Sequence, residues 1–392
     1  MKKIIVLNLG STSFKFKLYE MGEAETLLAS GGVESIGTTG KYEVSANGSE
    51  EKAACACKTH MDALSLCLER LAVLGLSVDL ESLDAVGYKA VHGGRFSGAQ
   101  FVTAELLSEM ERMAPLTPAH NPVYIAMMRA VAEKYPKLTQ IACFETSFHA
   151  MMPKERRYYG VPLEWAEKYG VRRWGFHGNS HSYIAWKMGI EAPECRRIVS
   201  AHLGGSSSIC AILDGHSVAS SMGATPQSGV FNNNRVGDFD AFCLPVLATQ
   251  LGGMDNVMKL LSKESGFLGL SGVSNDMREV ELAAANGNER AQLALDAFAD
   301  SVVGYIGMQT AFMGGLDALV FTGGIGLKGS EFRENVVCRL GFVHAKLDSE
   351  KNATRRIQGL ISAPDSGIKI YVFETNEELM VARGCVQCLA KN

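Results

Sequence analysis

The chain lacks the features that mark several function classes. Positive charge is not in excess: 38 Lys and Arg stand against 42 Asp and Glu, for a net charge of −4. No basic field therefore invites nucleic acid. Aromatic residues make up only 8% of the chain, which also counts against base-stacking surfaces. No segment approaches the roughly 20 apolar residues that a membrane-spanning helix requires. The first apolar run, Ile4 to Leu9, is broken by Asn8 and is too short for a signal peptide. The sequence shows no low-complexity tract, coiled-coil pattern or long charge run. Its ten cysteines are scattered. The close pairs Cys55/Cys57 and Cys385/Cys388 do not supply four zinc ligands at paired spacings, so they read as reduced thiols. The expectation is a cytoplasmic protein of ordinary globular composition. Its 392 residues allow two or three domains.

What the chain does have is one loop written twice. Ile5-Val6-Leu7-Asn8-Leu9 runs into Gly10-Ser11-Thr12-Ser13 and then the alternating Phe14-Lys15-Phe16-Lys17-Leu18. At mid-chain, Ile198-Val199-Ser200-Ala201-His202-Leu203 runs into Gly204-Gly205-Ser206-Ser207-Ser208 and then Ile209-Cys210-Ala211-Ile212-Leu213. Both read as strand, small-residue turn, strand. A second echo pairs Leu83–Gly94 with Leu316–Gly324; each is an apolar strand ending in a glycine turn. Helical periodicity precedes both, over Met61–Leu74 and Arg290–Met313. Strands alternating with helices predict an α/β architecture, and the duplication predicts two similar domains. Two phosphate loops facing across a cleft would suit an ATP-dependent phosphotransferase.

Individual motifs carry compatible chemistry. Gly10 lets the backbone approach an anion, Ser11 and Ser13 offer hydroxyls, and Lys15 offers a cation. The bland alternative is a plain hairpin turn. His92, His120, His177 and His202 all sit in turns beside Gly, Asn or Leu. One such histidine is more often a hydrogen-bonded turn residue than a catalyst; four favour a shared cleft. Arg235 in Arg235-Val236-Gly237-Asp238 could clamp phosphoryl oxygens through two parallel N–H bonds, or form a surface salt bridge. Phe321-Thr322-Gly323-Gly324-Ile325-Gly326 ends a strand before a helix expected from about Ser330, a geometry suited to a nucleotide packed on glycine backbone. No Lys-Ser/Thr pair follows, so this is not a P-loop.

Taken in order, eleven segments resemble the acetate kinase family, which includes propionate kinases. They are Asn8–Lys15, Val91–Gly94, Pro118–Pro122, Glu145–His149, Gly175–Gly178, His202–Gly204, Ser221–Gly223, Arg235–Asp240, Asp276–Arg278, Phe321–Gly326 and Asn376–Leu379. The resemblance implies two duplicated actin/hexokinase-like (ribonuclease H-like) α/β domains with an interdomain cleft. It puts the first at 1–148, completed by a C-terminal helix at about 378–392, and the nucleotide-binding second at 149–377. It implies Mg²⁺, ATP or ADP, a small carboxylate and a homodimer. Carried over by position, it assigns catalytic roles to Lys89, Glu145, His177 and Arg235. Asn8, Ser11, Ser13, Lys15, His120, His202 and Gly204 are implied at the phosphates. Val91, Ala119, Phe176 and Pro226 are implied at the acyl pocket, and Asp276, Arg278, Gly324 and Ile325 at the nucleotide. Asn8 and Glu377 are implied at the metal.

The chain departs from the family pattern at four places. Lys89 stands where Arg is typical, and Glu145 where Asp is typical. Ala119 replaces a Leu of the acyl pocket, which implies room for propionate or butyrate. Gly205 replaces an Asn, and Leu327-Lys328 replaces an acidic-amide pair, so GTP or pyrophosphate remain alternatives to ATP. The other readings are a kinase for butyrate or a branched acid, and a nucleotide-binding scaffold without turnover.

Overall fold

The computed structural model describes residues 1–354 and 358–391. The chain divides into two compact units, Met1–Ser147 with the segment from Asn376 onward, and Phe148–Thr375.

The first unit is built on an eight-stranded sheet. Its strands are β1 (Lys2–Leu9), β2 (Ser13–Met21), β3 (Glu25–Glu34), β4 (Gly40–Ala46), β5 (Ser49–Cys55), β6 (Ala85–Ala90), β7 (Ala99–Phe101) and β8 (Gln140–Phe144). Their order is β5-β4-β3-β2-β1-β6-β8-β7. The first five form an antiparallel meander, while β6 runs parallel to β1 and β8 parallel to β6. The alternation in β2 sends Phe14, Phe16 and Leu18 into the core and leaves Lys15 and Lys17 on the opposite face. Helix His60–Val73 covers the core face with Ala63, Leu64, Cys67 and Leu71. It starts where Thr59 and Asp62 satisfy each other's backbone N–H groups in a capping box.

The C-terminal helix, Glu377–Leu389, packs against β1, β2, β6, β7 and β8. Asn376 caps it by accepting from Leu379 N–H. The helix therefore starts one residue before the expected 378, and Asn392 lies outside the described residues. Gly87 on β6 permits its approach: a Cβ there would lie 2.6 Å from Cys385 Sγ.

The second unit repeats the plan with β9 (Arg197–His202), β10 (Ser208–Leu213), β11 (His216–Ser220), β12 (Ala318–Thr322), β13 (Gly359–Leu360) and β14 (Lys369–Val372). Their order is β11-β10-β9-β12-β14-β13. Three antiparallel strands again lead into two parallel ones, so β3-β2-β1-β6-β8 and β11-β10-β9-β12-β14 share one topology. Both sequence echoes are thereby explained. Helices cover both faces of this sheet. Helix Gly178–Glu191 packs Ile184 and Met188 on Ile198, Cys210 and Val320, while helix Glu289–Met313 packs Phe298, Val302 and Ile306 on Val199, Ile209 and Phe321.

The helix expected from about Ser330 is present as Ser330–Val337, but a short helix not foreseen, Gly323–Lys328, precedes it. Gly323 has φ +76°, and a Cβ there would lie 2.4 Å from Leu203 O. The glycine lets the chain turn straight from β12 into a helix against the end of β9, whose Leu203 O accepts from Ile325 N–H. Among the described residues, no helix is long and apolar enough to cross a membrane.

Candidate functional site

In the first unit the β1–β2 turn is held from several sides. Leu9 N–H donates to Tyr124 Oη (2.9 Å), Gly10 N–H to Ser13 O (2.9 Å) and His60 Nε2 to Gly10 O (2.8 Å). A Cβ on Gly10 would lie 2.4 Å from Ser13 Oγ. Ser11 and Lys15 are exposed and Ser13 is half-buried. A cavity of about 680 Å³ lies over the outer face of β2–β5, bordered by Lys15, Lys17 and Glu378.

Lys89, near the end of β6, is the centre of a charge cluster. Its Nζ lies 3.0 Å from Glu145 Oε1 and 2.5 Å from Glu377 Oε2, and only 16% of its side chain is exposed. Burial alone would lower the Lys89 pKa, but Glu145 and Glu377 outweigh it and hold the pKa well above its usual range. One residue further along the helix, Glu378 accepts from Asn8 Nδ2 (3.0 Å) and pairs with Lys17 Nζ (3.1 Å). Burial pushes its carboxyl up, but Lys17, the Asn8 amide and Lys89 together hold it below its usual range. Asn376 Oδ1 accepts from both Lys17 Nζ and Tyr19 Oη. The first turn of one helix thus brings Glu377 to Lys89 and Glu378 to Asn8.

Sequence reasoning missed Lys17 and Glu378. The available signal was the Lys15-Phe16-Lys17 alternation, which places both lysines on one face.

Oxygen donors dominate this cluster, and two carboxylates face one ammonium. That fits a hard cation such as Mg²⁺, which commonly takes one or two carboxylates plus water and substrate phosphate oxygens. Glu377, Glu145 and the Asn8 amide are the groups that could hold it. Among the described residues no three His, Cys, Asp or Glu side chains form a metal cage.

Val91, Ala119 and His120 are brought together by Asn121. Its side chain donates to His92 O (2.9 Å) and Met110 O (2.9 Å) and accepts from His92 N–H (3.2 Å). His120 precedes helix Asn121–Lys134, and Ala119 is exposed beside it. His92 is fully buried and its Nδ1 accepts from Gly94 N–H (3.0 Å), the behaviour of a turn histidine.

In the second unit, His177 precedes helix Gly178–Glu191 with φ +56°, a left-handed conformation that strains a residue carrying a Cβ. Two residues earlier, Gly175 has φ +73°, and a Cβ there would lie 2.6 Å from the His149 ring. His149 Nε2 donates to Phe176 O (2.9 Å), and its Nδ1 lies 2.7 Å from Ser217 Oγ. Burial pushes the His149 pKa down to about 4 and His181 well below its usual value. Phe176 is buried. The His177 and His202 ring centroids lie 4.5 Å apart, with the ring planes tilted by 36°.

Arg235 Nη1 donates to Ser206 Oγ (3.2 Å) in the second loop and to Pro226 O (3.4 Å). Among the described residues no carboxylate pairs with it. Burial pulls its pKa down, yet it remains a half-buried guanidinium without an anion. Gly204 and Gly324 are neighbours: a Cβ on Gly204 would lie 3.6 Å from Gly324 N. Ile325 follows in the same helical turn. Asp276 and Arg278 pair with each other at the start of helix Met277–Ala285, where the Asp276 carboxylate also accepts from Arg278 N–H.

The chain matches the model of the acetokinase family over residues 3–383. It is 41% identical to an acetate kinase of Shouchella clausii, across 99% of each chain. Its structure resembles that of an acetate kinase from Porphyromonas gingivalis, with a TM-score of 0.88 at 36% identity over 99% of this chain and 100% of that one. It also resembles a propionate kinase from Francisella tularensis, with a TM-score of 0.90 at 34% identity over 98% and 99%.

Proposed function

The chain belongs to the acetokinase family, and from that premise we propose that it transfers the γ-phosphoryl group of ATP to a short-chain carboxylate, giving ADP and an acyl phosphate. Its fold is the duplicated actin/hexokinase-like α/β fold. The observation that carries the reading is Arg235, a half-buried guanidinium held by a Ser-rich loop and a proline carbonyl, with no carboxylate among the described residues to neutralise it. Such a group is built to receive an anion.

The first unit supplies Asn8, Ser11, Ser13, Lys15 and His120 along the phosphates. Lys89 screens charge and, with Glu145, orients the acceptor. The second unit supplies His177, Arg235, His202 and Gly204 at the transferred group, and Asp276, Arg278, Gly324 and Ile325 at the nucleotide. Val91, Ala119, Phe176 and Pro226 wall the acyl group. Glu377 and Asn8 would hold Mg²⁺, which when bound would neutralise phosphate charge. A carboxylic acid with a pKa of about 4–5 is already ionised at pH 7, so its oxygen attacks without a general base. The barrier lies in bringing two anions together and in the charge on the equatorial phosphoryl oxygens. Fixed donors and alignment answer both.

The enzyme is cytoplasmic and dimeric in this reading. Phe242 (91% exposed), Val246 and Met258 are exposed apolar side chains on elements that pack together, the 3₁₀ turn Ala241–Cys243 and helices Leu244–Gln250 and Met254–Lys263. Phe242→Glu should shift the protein to monomer in sedimentation; an unchanged dimer removes this surface from the interface.

The kinase reading is tested by trapping acyl phosphate with hydroxylamine, using MgATP and acetate, propionate, butyrate or isobutyrate. Signal with propionate at least equal to acetate is expected from the small Ala119, since each added methylene buried is worth about 0.8 kcal/mol. ATP binding with no trapped product from any acid overturns the reading in favour of a scaffold or a different acceptor.

A further inference from the structure

We propose that Ser208, His181 and Ser200 are positioning residues that hold His177 as the neutral imidazole carrying its proton on Nε2. Only the catalytic consequence rests on the kinase reading; the protonation assignment does not.

Four groups stand in file in the second unit. Ser200 Oγ lies 2.9 Å from His181 Nδ1, His181 Nε2 lies 2.8 Å from Ser208 Oγ, and Ser208 Oγ lies 2.8 Å from His177 Nδ1. Ser200, His181 and Ser208 are fully buried. Ser200 and His202 sit on β9 and Ser208 on β10, while His181 comes from the helix that covers this face. Each hydroxyl has one proton to give, and a neutral imidazole has one N–H and one lone pair. The file therefore has two self-consistent directions.

In the first direction, Ser200 donates to His181 Nδ1, His181 Nε2–H donates to Ser208, and Ser208 donates to His177 Nδ1. Every buried donor in the file is used, and the His177 proton lies on Nε2. In the second direction every bond reverses, and the Ser200 hydroxyl must donate elsewhere. Its one hydrogen-bond partner among the described residues is His181 Nδ1. Reversal orphans a buried donor, a bias of about tenfold or more. Protonating His177 would also place a proton on Nδ1 and force the same reversal, so the file disfavours the imidazolium.

The neighbouring ring obeys the same logic. The one hydrogen-bond partner of Ser180 Oγ among the described residues is His202 Nδ1, at 2.7 Å. The hydroxyl donates there, and a neutral His202 also carries its proton on Nε2. Three further imidazoles lie near His177: His202, its ring centroid 4.5 Å away, His181 through Ser208, and His149 beyond His181. None of the three adds a fixed charge in its neutral form. For catalysis the direction is decisive. An Nε2–H donates to a phosphoryl oxygen, whereas an Nε2 lone pair repels it.

The test is long-range ¹H–¹⁵N NMR of the imidazoles in the ligand-free protein at pH 7, with His177 assigned by its loss in His177→Gln. The expected spectrum has a protonated-type Nε2 and an unprotonated-type Nδ1. An Nδ1–H tautomer or an imidazolium overturns the proposal, and the only variant this reading needs is the His177→Gln protein used for assignment. Ser208→Ala should then mix the tautomers and lower kcat for acyl-phosphate formation by about ten- to a hundredfold through lost alignment. KM for the carboxylate should change little, and Ser208→Thr should restore the wild-type spectrum. An Ser208→Ala protein that keeps the wild-type His177 pattern sinks the relay. Conversely, the expected spectrum in a protein that makes no acyl phosphate sinks the kinase reading and leaves the assignment standing.

Discussion

Lys89 joins two carboxylates that could not otherwise lie so close. Removing one member of a buried ion pair leaves an uncompensated charge, typically about 3–5 kcal/mol. Lys89→Met should therefore cut activity and lower stability together. The sharper test concerns size. Lys89 Nζ already touches Glu145 at 3.0 Å and Glu377 at 2.5 Å, so a guanidinium fork has no room unless a partner shortens. Lys89→Arg and Glu145→Asp should each depress kcat/KM, and the double variant should recover part of the loss. A coupling of about 1 kcal/mol or more in the double-mutant cycle is expected. Strict additivity, or an untouched rate and acyl preference in the double variant, defeats the idea that the two positions changed together. Both residues were visible in the sequence because each sits in a recognisable segment. The pairing of Asn8 with Glu378 was not, because 370 positions separate them and only the folded helix start joins them.

Elements explain why the loops are where they are. The two strand–turn–strand repeats were legible because apolar alternation and small-residue turns are local signals. The equivalence of their sheets was legible too, through the second echo, since β6 and β12 take the same place beside β1 and β9. The histidine file was not legible. Ser200 and Ser208 gave only a faint signal, a hydroxyl inside an otherwise apolar strand. Its meaning depends on His181 arriving from a helix on the same face. The turn before that helix makes a direct prediction. Gly175 needs both its positive φ and its missing Cβ, because a methyl would meet the His149 ring at 2.6 Å. Gly175→Ala should destabilise by about 1–3 kcal/mol and displace His177. Gly160→Ala, where nothing lies within 4 Å of the added atom, should stay within about 0.5 kcal/mol. Urea unfolding of the two variants decides; equal, small losses would show that the turn relaxes freely.

At the scale of the whole molecule the two units differ in how they bury ionisable groups, and that predicts how acid acts on them. The second unit buries neutral imidazoles. The His149 pKa is depressed to about 4 and that of His181 also lies well below its usual value. The unfolded chain, with histidines near 6.5, binds protons first. Stability from these residues is therefore present above about pH 6.5 and is lost as pH falls toward about 4, His149 alone costing about 2 kcal/mol by pH 5. The first unit, besides the buried turn residue His92, buries charged groups. The Glu378 pKa is lowered, so its contribution persists above the ordinary carboxylate range and is lost only as pH falls through that lowered value. The Lys89 contribution is complete below its unfolded value near 10.4 and fades only at high pH, as pH rises through its raised folded value. Between pH 7 and pH 5, then, the loss should fall on Phe148–Thr375. Hydrogen exchange read peptide by peptide, corrected for intrinsic rates, should show protection declining first in Gly178–Glu191 and β9–β11 while β1–β6 hold. His149→Asn should flatten the dependence of the urea midpoint over the same window. Protection lost first in the first unit, or an unchanged slope in His149→Asn, would mean that the buried imidazoles do not set the acid limit of this fold.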